Sequence, residues 1–264
     1  MPETAILIHG TAAGAELTFS SQRELEHDAE LILWERRGYG SRRQAEGELG
    51  WPVDVEDLLD AMEPLAPVHL VGHSYGGVVA AAVASRRPEW VRSLVLVEPT
   101  LYQVAPDHPL LAPVIARERE LNGRRLCLTA AEFTIEWMAG GPGAGARPGI
   151  ERWVGTWAPE QLAMADVARR EAWAGEAPVD FERLRDAPFT KVVVQGGEAT
   201  STGPADGLER RAVVCAETAR RIGAGLAIFA GSAHVPPAEE PERFNRLLRR
   251  CWRSSRAIDE DLGD

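Results

Sequence analysis

The stretch VHLVGHSYGG, residues 68–77, decides the fold of this chain. It runs from a short apolar segment through Gly-x-Ser-x-Gly into an Ala- and Val-rich segment that ends before Pro88. This order of strand, tight turn and helix is the context in which a serine is presented at the end of a central strand. Glycines at 72 and 76 let neighbouring backbone pass close to the turn. We therefore predict that Ser74 is a nucleophile; a Gly/Ser turn without chemistry is the alternative interpretation.

Further apolar runs extend this pattern along the chain. Short segments rich in Val, Ile and Leu alternate with longer helical patterns, which is typical of a parallel sheet covered by helices on both faces. A chain of 264 residues is long enough for one such domain with a large insertion. The sequence predicts an α/β fold with a six-stranded, mostly parallel sheet, and the predicted strands are Thr4–Ile8, Ala29–Trp34, Val68–Val71, Val91–Val97, Lys191–Val194 and Leu226–Phe229.

The alternation stops between residues 100 and 188, where amphipathic helical patterns replace strands. We predict a helical insertion there, a core formed by residues 1–99 and 189–252, and a flexible polar tail at 253–264. Tryptophans that form a small core of their own and tryptophans that line an apolar pocket are both compatible with the insertion. Four of the eight tryptophans of the chain lie in this insertion, and they are Trp137, Trp153, Trp157 and Trp173.

Charge and composition limit the partners. The formal net charge of −11 argues against nucleic acid and against an anionic membrane surface, since both are bound through Lys and Arg. No run reaches the roughly 20 apolar residues that span a bilayer, and the N-terminus has no secretory pattern, so we expect a cytoplasmic protein. The three cysteines are far apart and predict neither disulfides nor a zinc site, and no dinucleotide or metal motif indicates a cofactor.

A serine hydroxyl needs a base to become a nucleophile. Among the six histidines, His234 follows the last predicted strand in GLAIFAGSAHVPPAEEPERF and precedes the final helix. A histidine on that loop could reach back over the edge of the sheet. We predict His234 as the general base, with activity rising through a limb at about pH 6 to 7.

Taken together, these motifs resemble the α/β-hydrolase superfamily. The resemblance rests on His9-Gly10, the segment WERRGYG at 34–40, the GHSYGG turn and Ala233-His234. It implies that the sheet begins with the third strand of the family and that residues 100–188 occupy the position of its helical cap. It also implies an oxyanion hole formed by the backbone N–H groups of Thr11 and Tyr75.

The resemblance leaves the third catalytic residue open. Many members carry an Asp after the next-to-last strand, but residues 195–201 read QGGEATS. Members resembling haloalkane dehalogenases place an acid after the strand that follows the nucleophile helix, and this position holds Glu98. We favour Glu98 over Glu198 and Asp206; a Glu98 that only caps a turn or pairs with an arginine is the alternative.

The resemblance implies a serine hydrolase that acts on a carboxylic ester, a lactone or a thioester through an acyl-enzyme on Ser74. Hydrolysis of a carbon–carbon bond, a lyase reaction and a biosynthetic cyclisation remain open on the same residues. A protein of this fold that binds a ligand without turnover is the alternative from another class. We expect a small-molecule substrate with an apolar portion; the sequence does not predict an oligomeric state.

Overall fold

The computed structural model describes residues 3–44, 46–139, 147–198 and 207–261, with side chains up to residue 254. Six parallel strands form one sheet, and they are β1 (Thr4–Ile8), β2 (Glu30–Trp34), β3 (Val68–His73), β4 (Val91–Val97), β5 (Thr190–Gly196) and β6 (Gly225–Phe229). Their order is β2-β1-β3-β4-β5-β6. The strands begin and end close to the predicted apolar runs, so the predicted fold class is confirmed.

Helices surround this sheet. They are α1 (Ala15–Phe19), α2 (Trp51–Met62), α3 (Tyr75–Arg86), α4 (Ala112–Arg124), α5 (Ala130–Met138), α6 (Arg147–Val154), α7 (Pro159–Arg170), α8 (Phe181–Asp186), α9 (Gly207–Ile222), α10 (Pro236–Glu239) and α11 (Pro241–Asp261). Helices α4 to α8 lie in the chain between β4 and β5, where we predicted the helical insertion. Helix α11 continues through most of segment 253–264, predicted as a flexible tail, because no glycine or proline interrupts it before Gly263.

Alternate residues of the strands pack against opposite helical layers. In β1, Ile6 and Ile8 belong to a core that includes α2, α3 and α9. Ala5 and Leu7 face the other layer, where α11 contributes the buried stripe that its periodicity predicts. That stripe contains Phe244, Leu247, Leu248 and Cys251. Both faces of the sheet are therefore covered, which explains why its central strands are rich in apolar residues.

The order of the strands decides where a site can form. The chain passes from β1 outward to β2 and then returns to β3 on the other side of β1. In parallel sheets, the crevice at such a reversal, outside the carboxyl ends of the strands, is where ligands bind. The segments after β1, β3, β4 and β6 carry Thr11, Ser74, Glu98 and His234, respectively. Within the described part of the chain, no helix combines the length and apolar character needed to cross a membrane.

Candidate active site

Ser74 occupies a strained turn between β3 and α3. Its φ of 52° and ψ of −118° are backbone angles that residues other than glycine rarely adopt. The backbone N–H of Ser74 donates to the Val97 carbonyl at 2.8 Å, which continues the pairing of the sheet into the turn. A Cβ at Gly76 would collide with the Ile8 carbonyl, and one at Gly72 would collide with the first turn of α3. A side chain at either position would therefore meet backbone atoms of the neighbouring segments.

Glu98 and His234 meet at the carboxyl edge of the sheet. His234 Nδ1 lies 3.2 Å from Glu98 Oε2. The Glu98 side chain is completely buried, and its Oε1 accepts a hydrogen bond from the Gly196 N–H at 2.6 Å. Because a carboxylate only accepts hydrogen bonds, the proton of the neutral imidazole lies on Nδ1 and Nε2 is free to act as a base.

Glu98 also has a left-handed backbone, with a φ of 46°. Among the described residues other than glycine, only Ala12 shares a positive φ with Ser74 and Glu98. Side chains held in this conformation by the surrounding structure cluster at functional sites. Two of these three residues, Ser74 and Glu98, are site residues predicted from the sequence.

Ser74, Glu98 and His234 line one cavity of about 220 Å³, here called the histidine cavity. The side chain of His234 is 32% exposed, so the imidazole is accessible from this cavity. Ser74 also lines an adjoining cavity of about 110 Å³, the inner cavity, together with Thr11 and Tyr75. The fold thus brings all five predicted site residues to adjoining cavities at one edge of the sheet.

The loop that carries His234 is fixed from two sides. His73 Nε2 donates to the His234 carbonyl at 2.8 Å. The carboxylate of Glu239 accepts the backbone N–H groups of Ala233 and Val235. Desolvation by burial lowers the pKa of His73 to about 3, and repulsion from His234 when that ring is protonated acts in the same direction, so His73 is a neutral donor. The position of His234 is therefore set by the protein before any ligand binds.

Glu198 and Asp206 are the two other acids that the sequence offers as partners of His234. Glu198 is exposed, and its described hydrogen bonds use main-chain atoms: its N–H donates to the Ser232 carbonyl and its carbonyl accepts from Arg211. Asp206 lies outside the described residues. Of the described candidates, Glu98 is the one that contacts His234 through its carboxylate.

The sequence does not predict a buried ion-pair network that reaches the inner cavity through Glu171. Arg36 is fully buried, and its Nε donates to Asp54 Oδ2 at 2.8 Å while Nη2 pairs with Glu171. Burial alone would lower the pKa of Arg36, but the carboxylates of Glu171 and Asp54 outweigh it and raise that pKa. Glu171 follows α7, so the network joins the helical insertion to the sheet. A buried arginine needs such partners, and Arg36 in WERRGYG was the available signal.

The tryptophans of the insertion line cavities. A third cavity of about 590 Å³, here called the tryptophan cavity, has Met138, Met164 and Ala165 in its wall beside the aromatic side chains Trp137, Trp153 and Trp157. Trp173 lines the inner cavity instead. Tyr102 and Trp137 are common to all three cavities, so the spaces adjoin. The structure thus places all four tryptophans on cavity walls.

Polar groups face the same spaces. Glu118 lines both the inner and the tryptophan cavities, and its Oε2 accepts a hydrogen bond from Trp173 Nε1 at 2.9 Å. Burial raises the pKa of the Glu118 carboxyl. Thr100 Oγ1 and Arg125 Nε, in the wall of the inner cavity, are buried without a hydrogen-bond partner among the described residues. A ligand with polar groups could satisfy these atoms.

No group of three or more His, Cys, Asp or Glu side chains in the described ranges is arranged to hold a metal ion. What the arrangement offers chemically is a buried hydroxyl on a strained turn, an imidazole oriented by a carboxylate, and cavities with largely apolar walls. These are the components of nucleophilic catalysis by a serine.

Comparison with known proteins agrees with this geometry. Residues 5–247 match the sequence profile of the "Alpha/beta hydrolase family". Over 131 residues the chain is 27% identical to a proline iminopeptidase of Heyndrickxia coagulans, which is 48% of this chain and 42% of that protein. Over 99 residues it is 35% identical to a 2-hydroxymuconate semialdehyde hydrolase of Pseudomonas sp. (strain CF600), which is 34% of each chain. The matched segments span less than half the length of these curated relatives.

The fold also matches solved structures. A thermophilic esterase from Thermogutta terrifontis, solved with bound malate, superposes with a TM-score of 0.62 at 22% identity. The superposition covers 96% of this chain and 90% of the esterase. At this level of identity the similarity concerns the fold.

Proposed function

Since the chain belongs to the alpha/beta hydrolase family, we propose that it is a serine hydrolase that cleaves a carboxylic ester, a lactone or a thioester. The observation that carries this proposal is the contact of 3.2 Å between Glu98 Oε2 and His234 Nδ1, on the wall of a cavity that Ser74 also lines. A strained serine, an oriented imidazole and a buried carboxylate together form the combination that activates a hydroxyl.

In the proposed mechanism, His234 Nε2 removes the proton of Ser74 as its oxygen attacks the carbonyl carbon. The backbone N–H groups of Thr11 and Tyr75 stabilise the oxyanion, and the N-terminus of α3 adds a favourable dipole. His234 then protonates the leaving oxygen or sulfur, and an acyl-enzyme forms on Ser74. A water molecule activated by His234 releases the acid.

Glu98 holds the imidazole in the tautomer that leaves Nε2 free and stabilises it when it becomes charged. This role is supported by the burial of Glu98 and by the Gly196 N–H that fixes its other oxygen. We propose that Glu98, which follows β4, is the acid at the position that the resemblance to haloalkane dehalogenases implies.

The helical insertion acts as a cap that binds the apolar portion of the substrate. Support comes from the tryptophan cavity, whose volume of about 590 Å³ is in the range of small-molecule sites. Its aromatic and Met side chains suit an alkyl or aryl group next to the scissile carbonyl.

The test is a panel of p-nitrophenyl esters, lactones and acyl thioesters offered to the wild-type protein and to Ser74→Ala, with Ser20→Ala as a control on an exposed serine. We expect turnover by wild type and Ser20→Ala, and its loss in Ser74→Ala. Labelling by a fluorophosphonate separates an enzyme from a ligand-binding protein, because only an activated Ser74 becomes modified in a 1:1 ratio. An unlabelled, inactive wild-type protein would refute the proposal.

A second candidate is hydrolysis of a carbon–carbon bond. The observation that favours it is the relative of 35% identity, which is named a 2-hydroxymuconate semialdehyde hydrolase. Consumption of 2-hydroxymuconate semialdehyde without turnover of any ester in the panel would select this reaction over the first.

A further inference from the structure

One oxygen of the Glu98 carboxylate, Oε2, is shared between two partners. Arg211, on helix α9, places its Nε 2.5 Å from Glu98 Oε2, the same oxygen that His234 Nδ1 contacts at 3.2 Å. The guanidinium of Arg211 also donates from Nη2 to the Glu198 carbonyl at 2.7 Å. Both interactions hold the cation at the wall of the histidine cavity, where its side chain is 17% exposed.

The contact between Arg211 and Glu98 acts through charge. Although Nε is close to Oε2, its N–H is not directed for a hydrogen bond to any residue that the structure describes. The other oxygen of Glu98 is already occupied by the Gly196 N–H. Arg211 therefore does not complete a hydrogen-bonded chain; it neutralises part of the negative charge that faces His234.

The charge of Arg211 opposes protonation of the His234 imidazole. A carboxylate beside an imidazole favours the protonated ring, and a cation beside that carboxylate opposes it. A Glu98 paired only with His234 would hold a proton on the imidazole to higher pH. The guanidinium of Arg211 therefore works against the attraction between Glu98 and a proton on the imidazole.

Other groups around His234 do not replace this effect. The His73 ring packs 4.8 Å from the His234 ring, but its lowered pKa keeps it neutral. The Cys215 thiol lines the same cavity from α9, and burial raises its pKa, so it is also neutral. The carboxylate of Glu239, on α10, accepts two backbone N–H groups of the loop. Among these neighbours of His234, Arg211 is the cation.

We infer that Arg211 is a positioning residue that shares the charge of Glu98 with His234 and thereby sets the pH below which the site loses its base. The inference rests on the proposed function, since it concerns the base of that reaction. It gives a residue of α9 a role in catalysis, although this helix lies outside the Gly-x-Ser-x-Gly motif and the acid–histidine pair.

The experiment measures kcat/KM of an ester substrate from pH 4.5 to 9 for the wild type, Arg211→Met, Arg211→Gln and Arg211→Lys. Arg220→Met is the control, because Arg220 lies on the same helix and its side chain is 70% exposed. We expect the midpoint of the acid limb to rise by about one pH unit in the two uncharged variants. At a pH below the limb, this shift corresponds to an about tenfold loss of kcat/KM. In Arg211→Lys and Arg220→Met the midpoint stays at the wild-type value.

Thermal unfolding of each variant separates folding from electrostatics. A loss of rate at all pH values with an unchanged midpoint would assign Arg211 a merely structural role and overturn the inference; so would a midpoint that falls. If Arg211→Met does not fold, Arg211→Gln decides the question, because its side chain is polar, keeps an N–H donor and carries no charge.

The pH dependence of fluorophosphonate labelling keeps the two proposals apart. A wild-type protein that is never labelled contradicts the proposed function itself. A wild-type protein whose labelling rate has an acid limb, with the same limb in both uncharged variants, contradicts only the role of Arg211.

Discussion

Thr11 Oγ1 donates a hydrogen bond of 2.6 Å to Glu171 Oε2, and this contact joins the loop after β1 to the end of helix α7. The other oxygen of Glu171 pairs with the buried Arg36. A single carboxylate of the helical insertion thus contacts both a proposed oxyanion-hole residue and a buried cation of the core.

Replacing this carboxylate should destabilise the whole molecule. We expect Glu171→Gln to lower the free energy of unfolding by about 3 kcal/mol, because Arg36 would lose one of its two buried counter-charges. Urea denaturation measures the loss. The control is Glu160→Gln on the exposed side of α7, which should change stability by less than about 0.5 kcal/mol. Equal stability of the two variants would show that the buried pair contributes little.

The proposed acid can be tested against its rival with matched substitutions. We expect Glu98→Gln to reduce kcat by about 10³- to 10⁴-fold, since an amide neither fixes the imidazole tautomer nor stabilises the charged ring. Glu198→Gln should retain nearly full activity, because the described contacts of Glu198 come from its main chain. Steady-state kinetics of both variants checks this, and mild losses of the same size in both would contradict the assignment of Glu98.

The buried, neutral His73 predicts a pH dependence of stability. Its pKa is about 3 in the folded protein against an ordinary value of 6.5, so between these pH values only the unfolded chain binds the proton. Stability should fall as the pH decreases from 6.5 towards 3, by at most about 1.4 kcal/mol per pH unit from this group. Urea denaturation at a series of pH values measures the slope.

A pair of histidine variants isolates the contribution of His73. His73→Gln keeps a donor for the His234 carbonyl and should show a shallower decline than wild type. His27→Gln, at an exposed position, should decline in parallel with wild type. Identical slopes in all three proteins would mean that His73 becomes protonated in the folded state.

The tryptophan cavity predicts a change of substrate preference. We expect Trp153→Ala to reduce kcat/KM for an octanoyl ester about tenfold relative to an acetyl ester, because the apolar contact area for the longer chain is lost. Trp90→Ala is the control, since Trp90 follows α3 and is outside the three cavities. An unaltered ratio of the two esters in Trp153→Ala would remove this part of the proposal.

The strands could be predicted from the sequence because a doubly covered parallel sheet demands apolar residues on both faces. The second half of β4 shows this directly, because the four residues from Leu94 to Val97 are all apolar and buried. In β3 the run predicted an end at Val71, whereas the strand continues through Gly72 and His73. These residues are not typical of strands, but their backbone still pairs with β4.

The residues of the candidate site differ in how far the sequence predicts that they lie together. Ser74 and His234 have local signals, a glycine-flanked turn and a loop after the last strand. Glu98 was inferred from its place after β4. By contrast, Arg211 meets Glu98 only because α9 packs against β5, and Glu171 meets Thr11 across 160 positions of sequence. Nothing in the local pattern around Arg211 or Glu171 indicates such a partner, because charged residues on helices are ordinarily solvated.

The hydrogen bond from His73 to the His234 carbonyl has a consequence for substrate binding. His73 is the chain neighbour of Ser74, so one partly buried hydrogen bond links the strand of the proposed nucleophile to the loop of the proposed base. Their relative placement is settled when the chain folds, and an arriving ligand spends no affinity on assembling them. Under the proposed function, tight binding can then serve discrimination between acyl groups, and one substrate can replace another without rebuilding the reactive centre.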